Sequence, residues 1–196
     1  MTALLPAAVL LTAYFFVTRS RQYRSVGVLI GSYLLLAYFS ITLEIIGFPS
    51  LREWQASLTH YGSIFNPVVN FIPFSDGYQV FDTLNLVLFV PLGFLLPLLY
   101  KQFQPFGKTL LFGILFTIGI EVSQLFTLHR ATDINDLIMN TLGVIVGWLM
   151  YRLFFGKKVS KQSELFNTEE PTPNRHSQSF DWVILLILPI LITFLI

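Results

Sequence analysis

The chain has 196 residues, with 12 lysines and arginines against 11 aspartates and glutamates, a formal net charge of +1 and no cysteine. Only 12% of its residues are charged and 54% are hydrophobic, whereas soluble domains carry about 25% charged residues. The composition therefore excludes an ordinary soluble domain, and the lack of cysteine excludes disulfides, thiolate metal sites and cysteine nucleophiles. We predict an all-α fold, a polytopic integral membrane helical bundle.

Six apolar segments approach the length of a membrane-spanning helix, which needs about 20 residues. The last of them is short for a full span. No basic residue precedes the first apolar run, so we interpret that run as an uncleaved transmembrane helix and not as a signal peptide. We therefore expect about six transmembrane helices, at 1–18, 26–47, 84–100, 108–128, 134–155 and 182–196.

The distribution of basic residues predicts the orientation, because cytoplasmic loops are enriched in lysine and arginine. If the arginines that follow the first helix are cytoplasmic, alternation leaves only Arg52 and Arg130 of the 12 basic residues outside. The N-terminus is then outside, together with the loop at about 48–83 and the turn near 130. We expect a multi-pass protein of the bacterial cell membrane.

The predicted units differ in polarity along the chain. The first comprises the N-terminal helix and its basic cytoplasmic loop, 1–25, and the second is the transmembrane core, 26–155. The polar segment 156–179, with EEPTPN at its centre, is interpreted as a flexible cytoplasmic linker. The last helix occupies 180–196.

The outer loop at 48–83 is predicted to begin with an amphipathic helix in the membrane interface. The remainder of the loop, NPVVNFIPFSDGYQVFDTLN, contains two prolines and a glycine, which discourage regular structure. The apolar residues that recur every three to four positions in the helix are Leu51, Trp54, Leu58, Tyr61 and Phe65.

The stretch HRATDINDLIMNTLG, 129–143, leads from a charged turn into an apolar helix. Asp133, Asp136 and Asn140 follow helical spacing and share one face of that helix. The same face continues in Gly143 and Gly147, which favour close packing of two helices.

Two further helices carry polar residues near the same outer end. Glu121 and Gln124 share a face of one helix, and Asn85 lies at the start of another, one turn after Asp82. Polar groups in hydrocarbon cost several kcal/mol unless they are paired. We therefore expect a single water-accessible pocket in which Arg130 offsets part of the acidic charge.

Structural roles compete with this functional interpretation. Asp133 is well placed to act as a helix N-cap, and Gln124 and Asn140 are well placed for interhelical hydrogen bonds. Glu121 lies about two turns deep, where no helix-end effect accounts for it. Ionisable residues inside the membrane are functional by default, so Glu121 is the strongest functional candidate.

The run EVSQLFTLHRATDINDLIMNTLGVIVGW resembles the signature of the VanZ-like family, and the upstream NFIPF and NLVLFVPLGF are similar to further elements of that family. The resemblance covers about 37–155. It implies a bacterial cell-envelope protein and, through the family's namesake, resistance to teicoplanin, a lipoglycopeptide that anchors at the outer membrane surface. The positions that match the family's polar residues, and that it implies for ligand binding, are Asn70, Asn85, Glu121, Gln124, Arg130, Asp133, Asp136 and Asn140.

Two functions are compatible with these residues. In the first, the pocket binds a lipid headgroup, a cell-wall precursor or an amphiphilic antibiotic, with Arg130 on a phosphate or carboxylate. In the second, the protein is a membrane enzyme acting on a lipid-linked substrate of the outer leaflet. Its candidate catalytic residues are Glu121 as acid/base or ligand of a divalent ion, Asp136, and Arg130 as stabiliser of negative charge.

The binding function is favoured because no nucleophile constellation is recognisable. We expect membrane lipids as partners, with a lipid-linked or glycopeptide ligand at the outer leaflet, and no nucleic acid. No cofactor and no metal site are expected, since no spacing is diagnostic of one. A transporter is less favoured because no internal repeat is visible.

Overall fold

The computed structural model describes residues 6, 9–10, 12, 26–75, 77–128, 130–166 and 181–195, with the backbone alone at 26–29, 157–166 and 181–182. Of the predicted first helix, four residues are described, and all four are helical. Most of that helix, His129 and most of the predicted linker therefore lie outside the described residues.

The described chain is almost entirely helical. Its only strands, β1 (Val69–Asn70) and β2 (Thr132–Asp133), are two residues long, and one turn of 3-10 helix covers Lys101–Phe103. The helices are α1 (Val26–Ile46), α2 (Leu51–Tyr61), α3 (Val80–Leu99), α4 (Phe106–Gln124), α5 (Ile134–Phe166) and α6 (Asp181–Leu195).

Four helical stretches of the described residues are long and apolar enough to cross a membrane. They are Ile30–Tyr61, Val80–Leu99, Phe106–Gln124 and Ile134–Gly156, and Val183–Leu195 is a shorter apolar helix. The prediction of a helical membrane bundle is confirmed. The number of spans, about six, stays a prediction.

Several helix ends differ from those expected. Helix α5 continues to Phe166, so the beginning of the segment predicted as a linker is helical. Helix α3 begins at Val80 instead of 84, because Gln79 and Asp82 form a reciprocal capping box. Since this cap lies outside the apolar run, hydropathy did not indicate it.

Helices α3 and α5 form the most extensive helix pair, and glycines bring their backbones into contact. A Cβ on Gly93 would lie 2.1 Å from the carbonyl oxygen of Val144, and one on Gly147 would lie 2.1 Å from that of Val90. A Cβ on Gly143 would lie 2.2 Å from the carbonyl oxygen of Leu86. This is the close packing that small residues permit in membranes.

The buried core joins α1 and α3, with α6 packed against α1. Phe39 of α1 and Phe89 of α3 are almost completely buried, and Leu185 of α6 joins the same cluster. By contrast, large apolar side chains on α4 and α5 are exposed, with Leu111 58% and Leu153 79% accessible. Such exposure suits a surface that faces lipid.

The outer loop pairs with the turn between α4 and α5 through two short strands. Strands β1 and β2 pair in parallel, with Val69 opposite Thr132 and Asn70 opposite Asp133. Regular structure was not expected around β1, because a two-residue ladder depends on a distant partner and leaves no local pattern in the sequence. The pairing places Asn70 beside the start of α5.

Candidate functional site

The polar cluster is centred where α3 and α5 begin, side by side. Asn85, in the second turn of α3, donates from Nδ2 to Oδ1 of Asp136 at 2.5 Å. Asp136 lies in the first turn of α5, where the helix dipole favours a carboxylate. The two residues are half-buried, so this contact joins two membrane helices at their predicted outer ends.

Glu121 contributes the carboxylate of α4. Its side chain is 7% exposed, and its Oε2 accepts a hydrogen bond from the backbone N–H of Asp133 at 3.0 Å. Its carbonyl oxygen accepts another from the hydroxyl of Thr132 at 2.9 Å. Oε1 is buried and has no hydrogen-bond partner among the described residues. One oxygen of this carboxylate is therefore hydrogen-bonded to the backbone, and the other remains able to accept a hydrogen bond.

Asp133 connects the start of α5 to the outer loop. Its Oδ1 accepts from the backbone N–H of Asn135 at 2.8 Å, which is the geometry of a helix N-cap. Its Oδ2 accepts from Nδ2 of Asn70 at 3.3 Å. Asp133 therefore has the structural role that its position predicts, and it also holds Asn70 at the cluster.

Asn140 and Gln124 bond between helices. Asn140, 2% exposed, donates from Nδ2 to the hydroxyl of Thr117 on α4 at 2.8 Å. Gln124 donates from Nε2 to the carbonyl oxygen of Ile46 on α1 at 3.3 Å. The amide oxygens of both residues are buried without a partner among the described residues. The amide nitrogens of both residues therefore form hydrogen bonds between helices.

Arg130 lies at the rim of the cluster and reaches α1. Its side chain is exposed, and its Nη2 donates to the carbonyl oxygen of Ile45 at 2.8 Å. The Arg130 side chain lies over Gly47, which follows the last residue of α1 with a φ of +71°. A Cβ added to Gly47 would be 2.6 Å from Nε of Arg130. A cation is favourable at a helix C-terminus. The hydrogen bond of Arg130 is thus to backbone, although Asp136 lies within its electrostatic range.

The cluster is acidic. Asp136 is repelled by Asp133 and Asp82 and attracted by Arg130, while Glu121 is repelled by Asp136 and Asp133. Within the described residues, no group of three or more histidines and carboxylates could hold a metal ion. The arrangement is suited to accept hydrogen bonds from cationic or hydroxylated groups, with one exposed cation beside it.

Three residues near the cluster were not singled out from the sequence. Asn135, 7% exposed, accepts at Oδ1 from the backbone N–H of Phe74 at 2.9 Å. Thr117 receives the bond from Asn140, and Glu53 accepts at Oε1 from the backbone N–H of Leu128 at 2.8 Å. Asn135 lies off the face of Asp133 and Asp136, and its partner is distant in sequence. Only its position within the charged stretch could have indicated it.

Comparison with known families agrees with the motif resemblance. A family sequence profile described as VanZ/LLP1 matches residues 8–155, which is most of the chain and includes every predicted site residue. The chain belongs to the VanZ/LLP1 family. The match starts before residue 37, where the resemblance begins, and so extends into the predicted first helix. No curated protein and no solved structure shows significant similarity to this VanZ/LLP1 protein.

The VanZ/LLP1 chain brings most of the predicted site residues into one acidic cluster. Two of them are directed elsewhere, since Gln124 and Arg130 bond to the C-terminal carbonyls of α1. Asn140 lies one turn after Asp136 on α5 and donates a hydrogen bond to Thr117. A role for these residues in binding or catalysis stays a prediction. The central residues form two hydrogen-bonded groups whose carboxylates repel one another: Asn70, Asp133 and Glu121 in one, and Asn85 and Asp136 in the other.

Proposed function

We propose that this VanZ/LLP1 protein is a multi-pass protein of the bacterial cell membrane that confers resistance to teicoplanin-type lipoglycopeptides. It does so by binding an amphiphile at the outer end of its helices, either a lipid headgroup, a cell-wall precursor or the antibiotic. The observation that carries the proposal is the convergence of Glu121, Asp133 and Asp136 next to the exposed Arg130.

The chemistry of the cluster indicates what the ligand must offer. An arginine guanidinium recognises phosphate or carboxylate through charge-assisted hydrogen bonds. Oε1 of Glu121, which has no partner among the described residues, requires a donor, because a buried unpaired oxygen is costly. A ligand with an anionic group and a nearby amine or hydroxyl would bind both Arg130 and Oε1 of Glu121. Lipid headgroups and cell-wall precursors have this combination.

Resistance can be measured directly in a susceptible Gram-positive host. Expression of the wild-type chain should raise the inhibitory concentration of teicoplanin, and the double variant Glu121→Gln, Arg130→Ala should lose the increase. Arg52→Ala is the matched control, because it removes the other basic residue predicted to lie outside, which is exposed on α2. Equal resistance from the double variant, at equal membrane abundance, would remove the cluster from the function.

A second candidate function is a membrane enzyme that modifies a lipid-linked envelope substrate. The buried Oε1 of Glu121 favours it, because this oxygen has no hydrogen-bond partner in the described part of the chain and a general acid/base needs an oxygen that is not already bonded. In this mechanism Glu121 exchanges a proton with the substrate, and Arg130 stabilises negative charge. Purified protein incubated with labelled envelope lipids would then change their mass in a Glu121-dependent way, as read by mass spectrometry.

A further inference from the structure

An apolar groove runs along the outside of the bundle between α1, α4 and α6, apart from the polar cluster. Its volume is about 370 Å³, within the range of about 300–1,000 Å³ that is common for small-molecule sites. Its lining is apolar and partly aromatic, and includes Leu43, Phe48, Phe116, Gly119, Ile120 and Ile190.

Gly119 forms the open part of this groove. A Cβ at Gly119 would meet no atom of the described residues within 4 Å, whereas a Cβ at Gly93 or Gly147 would collide with a backbone carbonyl. Close helix packing therefore does not account for a glycine at 119. The missing side chain leaves a space beside Phe112 and Phe116, whose rings stack with centroids 6.1 Å apart.

The C-terminal end of α1 contributes both to the groove and to the contact with Arg130. Phe48, which lines the groove, directly follows Gly47, and the Arg130 side chain lies over Gly47. On α4 the groove ends at Ile120, next to Glu121 of the polar cluster. An apolar groove that shares a helix end with an exposed cation is complementary to an amphiphile with a hydrocarbon chain and an anionic group.

We propose that this groove holds one acyl chain of an anionic phospholipid whose phosphate contacts Arg130. The inference rests on the proposed function for the headgroup position and adds a hydrocarbon subsite to it. Moving an acyl chain from the bilayer into the groove gains no hydrophobic energy, because both surroundings are apolar. Selectivity comes from the shape of the groove and from the contact between guanidinium and phosphate.

The hydrocarbon subsite is tested with the full chain reconstituted in phosphatidylcholine vesicles. The probe is a phosphatidylglycerol that carries a photoreactive diazirine on one acyl chain, and cross-linked residues are mapped by mass spectrometry. We expect labelling concentrated at Phe112, Phe116 and Ile190. Gly119→Leu fills the groove and should lower this labelling several-fold.

Gly107→Leu is the matched control, since Gly107 is on the same helix and its Cβ would also meet nothing within 4 Å. It should label like the wild type. Labelling spread evenly over exposed residues such as Leu111 and Leu153, or unaffected by Gly119→Leu, would contradict the proposal. So would an absence of label from the groove, which would mean that another part of the chain covers it.

The headgroup contact is tested with the same diazirine on phosphatidylcholine. The groove should label several-fold more strongly from phosphatidylglycerol, and Arg130→Gln should remove this preference while Arg130→Lys retains it. Equal labelling from both lipids in the wild type overturns the anionic assignment. Displacement of the probe by an acylated lipoglycopeptide, but not by unlabelled phosphatidylglycerol, would identify the antibiotic as the occupant instead.

Glu121→Gln separates this inference from the proposed function. Glu121→Gln changes a headgroup residue of the proposed function, whereas Gly119→Leu changes the lining of the groove. If Glu121→Gln retains resistance while the groove is labelled as expected, the proposed function fails and the acyl site stands. If Glu121→Gln loses resistance and the wild-type groove is not labelled, the acyl site fails alone.

Discussion

Asn85 of α3 donates a hydrogen bond to Asp136 of α5 at 2.5 Å, across the interface of two helices that begin side by side. A few residues further on, Gly143 packs directly against the backbone of α3. The close helix contact and the polar contact thus belong to one interface. The packing of α3 against α5 determines where the carboxylate of Asp136 lies.

Replacing Asn85 with leucine should destabilise the protein, because it leaves a half-buried carboxylate without its donor. The loss of a buried hydrogen-bond partner costs about 1–3 kcal/mol, and we expect a lower midpoint of thermal unfolding in detergent. Val87→Leu is the control, since Val87 is an exposed residue of the same helix, 57% accessible. An unchanged midpoint for Asn85→Leu would show that Asp136 does not need this contact.

Two glycines of the bundle should respond oppositely to alanine. Gly147→Ala should destabilise the fold by about 1–3 kcal/mol, as overpacking does, because its Cβ would lie 2.1 Å from the carbonyl oxygen of Val90. Gly119→Ala should be neutral or stabilising, since its Cβ would meet no described residue within 4 Å and alanine is the better helix former by about 1 kcal/mol. Thermal unfolding of both variants tests this, and equal effects would contradict the helix packing.

The hydrogen bond between Asn140 and Thr117 should contribute little to stability although it is buried. Interhelical polar pairs in membranes average about 0.6 kcal/mol, with a maximum near 1.7. A double-mutant cycle with Asn140→Leu and Thr117→Val measures the coupling between these two side chains. A coupling energy well above that maximum would mean that Asn140 is part of a larger cooperative network.

A comparison of alanine substitutions at Gly47 and Gly62 distinguishes the cost of backbone strain from the cost of disturbing the contact with Arg130. Both have φ near +70° and end a helix, so alanine costs about 1–2 kcal/mol at either position. At Gly47 the new Cβ would also displace the guanidinium, whereas at Gly62 it meets nothing within 4 Å. Gly47→Ala should therefore be the more destabilising in thermal unfolding. Combining each variant with Arg130→Ala should remove the difference.

The orientation can be tested by cysteine labelling, because the natural chain has no cysteine. Tyr61 is 69% exposed at the predicted outer end, and Lys101 is exposed at the opposite end of α3. In intact cells an impermeant maleimide should label Tyr61→Cys, and it should label Lys101→Cys only after permeabilisation. The reverse pattern would place the acidic cluster on the cytoplasmic side.

Local sequence patterns predicted much of the fold. Hydropathy located the long helices, since a bilayer requires a continuous apolar run. The spacing of Asp133, Asp136 and Asn140 predicted a shared face, and Gly143 and Gly147 predicted close packing. These features depend on residues that lie within two or three turns of one another, which is the range over which helical periodicity is informative.

Only the tertiary structure decided which partners these residues have. Asn85 meets Asp136 because α3 packs on α5, and Asn70 reaches Asp133 through a strand pairing that has no local signal. Arg130 lies within electrostatic range of Asp136, as expected, and it also donates a hydrogen bond to the end of α1. The apolar groove at Gly119 likewise requires three helices to be placed side by side. The sequence by itself determined which helices form and which of their faces are polar, whereas contacts between distant segments depend on how the helices pack.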